Sequence, residues 1–188
     1  MRAFWIIPTL ALASTGWATA QDVPPPPPMR GEAASLEDTM KFLQDKLPGK
    51  VNYMVYIHDN ATGVDKSGKR SFELSNVAAD AGHCSVSFHE RFVNGTNHVV
   101  DGDGALSLKQ VREIALMQMD QSIQRATAKD GHPELDIRTD PPVFLVVVRS
   151  EPNHSITFDF YDEALSDRVS KALQHAVDLC GGGNQEPF

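Results

Sequence analysis

The sequence predicts an α+β domain built mainly from antiparallel strands, with one helix near each end. Apolar residues recur at helical spacing over Leu36–Leu47 and again over Leu165–Cys180. Between these two segments, short stretches alternate apolar and polar residues, and turn-forming pairs such as Asn94-Gly95 separate them. Stretches of this kind form half-buried strands. We therefore expect one core that contains about seven strands.

The opening helix and the first strand follow from local signals. Ser35 and Asp38 have the spacing of a capping box, and Pro48-Gly49 ends the helical pattern. The period then changes over Lys50–His58, where every second residue is apolar. One face of the predicted strand thus carries Val51, Tyr53, Val55 and Ile57.

Several later segments have the same alternation. Val143–Val148 is the most apolar of them and predicts a central strand. Asp101-Gly102-Asp103-Gly104 contains hairpin-turn dipeptides, which predicts a turn between strands. The remaining predicted strands are marked by three sets of apolar residues that share a face: Phe72 and Leu74; Cys84, Val86 and Phe88; Ile156, Phe158 and Phe160.

The segment Leu108–Arg125 fits both a helix and a strand. Leu108, Val111, Ala115, Met119 and Ile123 lie on one helical face, but Ala115, Met117 and Met119 also alternate as in a strand. Periodicity does not decide between the two. We favour a strand, because a helix would interrupt a run of antiparallel pairings.

Residues 1–20 have the pattern of a cleavable signal peptide. Arg2 precedes a short apolar run, and Ala18-Thr19-Ala20 has the A-x-A form of a cleavage site. We therefore expect export to the periplasm or the extracellular space after cleavage near Ala20, and no stable membrane insertion afterwards. Residues 21–34 contain five consecutive prolines, which predicts a stiff spacer. The predicted domain covers 35–180, and the glycine-rich residues 181–188 predict a flexible tail.

The protein is acidic, with a formal net charge of −8 at pH 7. Such a chain repels phosphate backbones unless its cations cluster on one face, and the sequence contains no dense Lys/Arg cluster. Nucleic acids are therefore excluded as expected partners. The expected partner is therefore a protein, a peptide or a small ligand.

The two cysteines, Cys84 and Cys180, predict one disulfide in an oxidising compartment, although two buried thiols are the alternative. Asp162 can cap the last helix and Gly181 can end it. The apolar face of that helix places Cys180 towards the sheet, and the alternation around Cys84 points its side chain inward. These two orientations agree with a bond between helix and sheet.

The stretch from Phe72 to Cys180 resembles a pleckstrin-homology-like small barrel. The resemblance lies in the order of strands, the late Phe158-Asp159-Phe160 strand and the terminal helix. It implies seven antiparallel strands in a barrel or two bent sheets, with the C-terminal helix capping one end. The lipid-binding members use a basic first hairpin. Here that hairpin, Asp59–Lys69, balances its lysines with aspartates, so phosphoinositide binding is not implied.

Three groups of residues were considered as chemical sites. Asp101 and Asp103 resemble the centre of an EF-hand loop, but Val99 and Gln110 would then occupy the first and last ligand positions, so a turn is the better interpretation. His83 and His89 share a predicted strand face but lie six residues apart, too far to chelate one ion. Capping and helix-dipole roles explain the acidic group Asp159, Asp162 and Glu163.

No catalytic, cofactor-binding or metal-binding residues are therefore predicted, and no cofactor. The sequence favours a non-enzymatic exported binding or interaction domain of unknown ligand. The alternative is a small exported hydrolase or metal-binding protein that assembles its site across strands.

Overall fold

The computed structural model describes residues 34–95, 98–150 and 154–183. The predicted signal peptide, the proline run of the predicted spacer and the last five residues of the predicted tail lie outside these ranges. Predictions about those segments stay predictions.

The described residues form two antiparallel sheets and three α-helices. The large sheet has the strand order β4-β3-β2-β1-β6, and the small sheet has the order β5-β7-β8. In chain order the elements are α1 (Leu36–Lys46), β1 (Gly49–Asp59), β2 (Val64–Asp80), β3 (Ser85–Val93), β4 (Val99–Ser107), β5 (Val111–Gln118), α2 (Met119–Lys129), β6 (Leu135–Asp140), β7 (Phe144–Ser150), β8 (His154–Phe160) and α3 (Glu163–Leu179).

The predicted α+β class, the antiparallel pairing and the two terminal helices are confirmed. Ser35 accepts a hydrogen bond from the amide of Asp38 at the start of α1, and Asp162 accepts bonds from Ala164 and Leu165 at the start of α3. The apolar strand predicted around Val143–Val148 lies at the centre of the small sheet. The number of strands differs from the prediction: the described residues contain eight strands in two sheets, and they do not form a closed barrel. The pleckstrin-homology-like resemblance stays a prediction.

The segment Leu108–Arg125 begins with one turn of 3-10 helix, Leu108–Gln110, and then divides between β5 and α2, so the strand prediction is wrong for its first three residues and its last seven. β5 ends at Gln118, and α2 begins at Met119. The strand half pairs with the apolar β7, whereas the helical half packs beside β6. Each alternative read from the periodicity was therefore correct for part of the segment, because the period changes within it.

Asp101–Gly104 lies inside β4, so the turn predicted there is wrong. This segment pairs with Arg91–Phe88 of β3 in an unbroken antiparallel register. Cys84 also differs from the prediction, because it precedes β3 and has a left-handed backbone with φ of 53°.

A disulfide joins Cys84 to Cys180, as predicted. It lies at a junction of three segments. The amide of Leu108 donates to the carbonyl of Cys84, and the amide of Gly183, beyond α3, donates to the carbonyl of Val111 at 2.9 Å. A Cβ atom on Gly182 would lie 2.2 Å from the carbonyl oxygen of Leu108, so only glycine fits there. The residues that follow α3 are thus packed against the start of β5.

A second tie joins the small sheet to β1. The hydroxyl of Tyr161, directly after β8, accepts a hydrogen bond from the amide of Asn52 and donates one to its carbonyl at 2.7 Å. Asn52 lies in the part of β1 that β6 does not reach. The phenol therefore satisfies a peptide group that would otherwise face an open strand edge.

We expect loss of the disulfide to destabilise the protein strongly. The bond joins residues 96 apart, and the chain-entropy model gives a loss of about 4–5 kcal/mol in the free energy of unfolding for a loop of this size. Urea unfolding of Cys84→Ala/Cys180→Ala should show a lower midpoint than wild type. Reductant should lower the midpoint of the wild type and leave the double variant unchanged. An equal midpoint for wild type with and without reductant would contradict the prediction.

Candidate functional site

A groove lies between the large sheet and the small sheet, and we call it the inter-sheet groove. Its volume of about 540 Å³ is in the range of small-molecule sites. Directly paired residues of antiparallel strands project to the same face. Tyr53 is paired with Arg70, Phe72 with Phe92, and Phe92 with Val100, so one face of four neighbouring strands forms a wall of the groove. Residues of the other elements that line it include Met119, Ser122, Leu145, Ile156, Thr157 and Asp159.

Two glycines of β4 give this wall its shape. Gly102 and Gly104 are paired with Glu90 and Phe88, and they therefore lie on the same face as the groove. A Cβ atom on Gly104 would lie 2.4 Å from the ring of Phe88, whereas a Cβ atom on Gly102 would meet nothing within 4 Å. The ring of Phe88 thus lies directly against the β4 backbone.

Tyr53 is the buried polar side chain of the groove. Only 2% of the residue is exposed, and among the described residues its hydroxyl has no hydrogen-bond partner of normal geometry. Burial and the nearby charge of Asp159 raise the pKa of the phenol, and the neighbouring Arg70 guanidinium lowers it by a smaller amount. The hydroxyl is therefore a protonated donor at neutral pH. Leaving such a donor unpaired in the interior costs about 1–3 kcal/mol.

Asp159 lies in β8, two residues before Tyr161. It is paired with the buried Leu145 and shares its face of the small sheet. Burial raises the pKa of its carboxyl from an ordinary value of 3.8 to about 7. Within the described ranges this carboxyl makes no hydrogen bond or ion pair. Of the acidic residues Asp159, Asp162 and Glu163, Asp162 caps α3 and Glu163 lies in its first turn. Asp159 has no such role, because it lines the groove.

The outer face of β3 and β4 carries an ion-pair cluster. The two nitrogens of His89 lie 2.8 Å from an oxygen of Asp101 and 2.9 Å from one of Asp103, and Arg91 lies 3.4 Å from Asp101. The hydrogen bond to Asp103, followed by the charge of Asp101, raises the pKa of His89. The two aspartates considered for an EF-hand loop are thus partners of a strand histidine.

The other histidine considered at the sequence level, His83, lies in the turn before β3 and not beside His89. Its ring contacts the carboxylate of Asp80 at 2.6 Å. In the part of the chain that the structure describes, no three His, Cys, Asp or Glu side chains are grouped to hold a metal ion.

Comparisons of the chain with protein-family models, with curated proteins and with solved structures found no match. Among the described helices, none is both long and apolar enough to cross a membrane.

Two groove residues, Arg70 and Glu90, carry a signal that is visible in the sequence. Arg70 shares the strand face of Phe72 and Leu74, and Glu90 shares that of Val86, Phe88 and Phe92. A charged residue is unusual at a strand position whose neighbours on the same face are buried. Its charge must be paired with an opposite charge, be neutralised by a proton, or serve a function such as ligand binding. Asp159 carried no such signal, since the alternation of β8 places it opposite the buried Phe158 and Phe160.

We expect Asp159 to make the protein less stable as the pH rises from about 4 to about 7. The folded protein retains a proton that the unfolded chain releases in this window, so the stabilising contribution is complete below the window and absent above it. The shift corresponds to up to about 4 kcal/mol. Urea unfolding as a function of pH should show that Asp159→Asn gains stability relative to wild type as the pH rises.

The control for this measurement is Asp136→Asn, which changes an exposed carboxylate of β6. Its stability relative to wild type should not change across the same pH window. If Asp159→Asn behaves like this control, Asp159 ionises normally.

We also expect Gly104→Ala to lower the free energy of unfolding by about 1–3 kcal/mol, because the new methyl group overlaps the ring of Phe88. Gly102→Ala is the matched control in the same strand and on the same face. Its stability should stay within about 0.5 kcal/mol of wild type. Equal losses for the two variants in chemical unfolding would contradict this packing.

Proposed function

We propose that the protein is an exported, non-enzymatic binding domain that holds a small, largely apolar ligand in the inter-sheet groove. The observation that carries the proposal is the hydroxyl of Tyr53, which is buried in the wall of the groove beside Arg70 and makes no hydrogen bond of normal geometry with any described residue. Buried polar groups are normally satisfied. A bound ligand with a polar group would provide the missing partner.

The rest of the lining supports a ligand with an apolar body. The apolar residues that line the groove include Phe72, Phe88, Phe92, Leu145 and Ile156. Small-molecule sites combine such a lining with a few polar groups that fix orientation. The polar groups here are Tyr53, Arg70, Glu90 and Asp159, with His154 and Asp103 at exposed positions.

Export is supported by two further features. The N-terminal sequence has the signal-peptide pattern, and the Cys84–Cys180 disulfide is of the kind that persists in oxidising compartments.

A second candidate function is hydrolysis, the alternative that the sequence left open. Asp159 titrates near neutral pH, which suits a general acid or base. Glu90 lines the same groove from β3, so two carboxyl groups from different strands contribute to it. Neither cysteine is available as a thiolate nucleophile, because both form the disulfide.

Binding in the groove is tested with a neutral fluorescent naphthalene such as prodan, whose emission shifts to the blue in an apolar site. We expect saturable binding to the wild type. Val100→Trp should weaken binding by at least about tenfold, because this residue lines the groove opening and the larger side chain fills it.

Val99→Trp is the matched control. Val99 and Val100 are 45% and 44% exposed, but neighbouring strand residues face opposite sides, so Val99→Trp should bind the probe as the wild type does. Equal effects of the two substitutions, or no saturable binding by the wild type, would contradict the proposal. Release of product from ester or glycoside probes, abolished by Asp159→Asn, would instead favour the hydrolase.

A further inference from the structure

We propose that the groove selects ligands that carry a carboxylate, which accepts hydrogen bonds from the hydroxyl of Tyr53 and the guanidinium of Arg70. This inference rests on the proposed function and adds the chemical class of the ligand. It follows from the pairing of these two residues across β1 and β2, which brings two donors together in one wall of the groove.

The two donors require an acceptor. An arginine side chain can only donate hydrogen bonds, and the pKa of the Tyr53 phenol is raised, so its hydroxyl keeps its proton. The two groups do not form a normal hydrogen bond with each other, since the hydroxyl has no such partner in the described part of the chain. A ligand oxygen placed between them would satisfy both.

The positive charge of Arg70 favours an anionic acceptor over a neutral one. Some strand cations have carboxylate partners: Lys50 contacts Glu73 at 2.9 Å and Arg149 contacts Glu113 at 2.6 Å. The strand cations that make no ion pair with a described residue but are exposed to solvent are Lys66, Lys69 and Arg138. Arg70 makes no ion pair with any described residue. A charge-assisted bond from a half-buried guanidinium is shorter and stronger than a neutral one, and a carboxylate matches its planar geometry.

The same lining argues against highly hydroxylated or cationic ligands. The aromatic side chains of Phe72, Phe88 and Phe92 extend from Arg70 along the wall of the groove. They offer no hydrogen bonds to replace those that a hydroxylated ligand would lose on leaving water. At the Tyr53–Arg70 pair a cation would meet a like charge, and the carboxyl group of Glu90 lies on the next strand, β3. The expected ligand is therefore a small monocarboxylate with an apolar chain or ring.

Asp159 adds a dependence on pH. Its protonated carboxyl adds no negative charge beside Tyr53, whereas its ionised form would repel a ligand carboxylate there. Affinity should thus fall as the pH rises through about 7. The titratable or charged groups that line the groove together with Asp159 are Tyr53 from β1, Arg70 from β2, Glu90 from β3 and His154 from its own strand. Asp103 of β4 also borders the groove, but its carboxylate bonds to His89 on the outer face.

The test is calorimetric titration of the purified protein at about pH 6 with three probes of equal chain length: decanoate, 1-decanol and decylamine. We expect decanoate to bind at least about tenfold more tightly than 1-decanol, and decylamine to bind most weakly. Equal affinities for decanoate and 1-decanol would overturn this inference and leave the proposed function intact. Failure of all three to bind would count against both.

Two variants test the named donors. Tyr53→Phe and Arg70→Gln should each lower the affinity for decanoate more than that for 1-decanol, and so remove most of the preference for decanoate. Tyr56→Phe and Lys69→Gln are the matched controls, because these residues lie on the opposite face of β1 and β2 and are exposed. If Tyr53→Phe keeps the wild-type preference, the inference is wrong.

A loss of preference in Tyr53→Phe would not be caused by misfolding. Tyr53→Phe removes an unsatisfied buried hydroxyl and keeps the ring, so its melting temperature should be no lower than that of the wild type. The pH readout is independent. Decanoate affinity should fall between about pH 6 and about pH 8 in the wild type, and Asp159→Asn should abolish most of this fall. His154→Gln is the control, because imidazoles also change charge near neutral pH. A fall that disappears in His154→Gln and persists in Asp159→Asn would overturn the role of Asp159.

Discussion

The fold depends on one junction, at which the end of α3, the start of β3 and the start of β5 are held together. The disulfide joins Cys180 to Cys84, and the peptide hydrogen bonds of Leu108 and Gly183 complete the contact. These segments are far apart in sequence, so the unfolded chain loses much entropy when they meet. A covalent bond removes part of that cost from folding. With its C-terminal end fixed, α3 lies along the small sheet and buries Val169 and Leu173 against it.

The position of the groove follows from the hydrogen bonds between Tyr161, after β8, and Asn52 of β1. Tyr161 hydrogen-bonds the backbone of Asn52. Asn52 precedes Tyr53, and Tyr161 follows Asp159 by two residues, so this bond places the two groove residues in adjoining elements. Burial, and after it the charge of Asp159, raises the pKa of Tyr53. The contact that closes the edge of β1 is thus also the contact that brings the phenol and the carboxyl together.

The sequence predicted the elements whose period is constant and missed the places where it changes. The face of α3, the cap at Asp162 and the disulfide partners could all be read from spacing, because one apolar face and one even cysteine count allow few alternatives. The pattern of Asp101–Gly104 is that of a turn although the segment is part of β4, because Gly102 and Gly104 look like hairpin residues and only the structure shows that Gly104 makes room for the ring of Phe88. The groove could not be predicted, since it requires the register of β1, β2 and β3 together with the approach of β8. Arg70 and Glu90 were nevertheless detectable as charges in an apolar register.

The buried polar groups of the groove are costly in a domain of this size, and this cost is an argument about function. Local sequence rules favour apolar residues on the facing surfaces of two packed sheets, and natural proteins depart from those rules mainly at functional sites. Tyr53 leaves a hydroxyl unsatisfied and Asp159 holds a carboxyl whose ionisation burial opposes. Phenylalanine and asparagine would avoid most of either cost without changing the shape of the site. A structural role needs neither the hydroxyl nor the charge, whereas recognition of a polar group within an apolar groove needs a donor that is fixed in place before the ligand arrives.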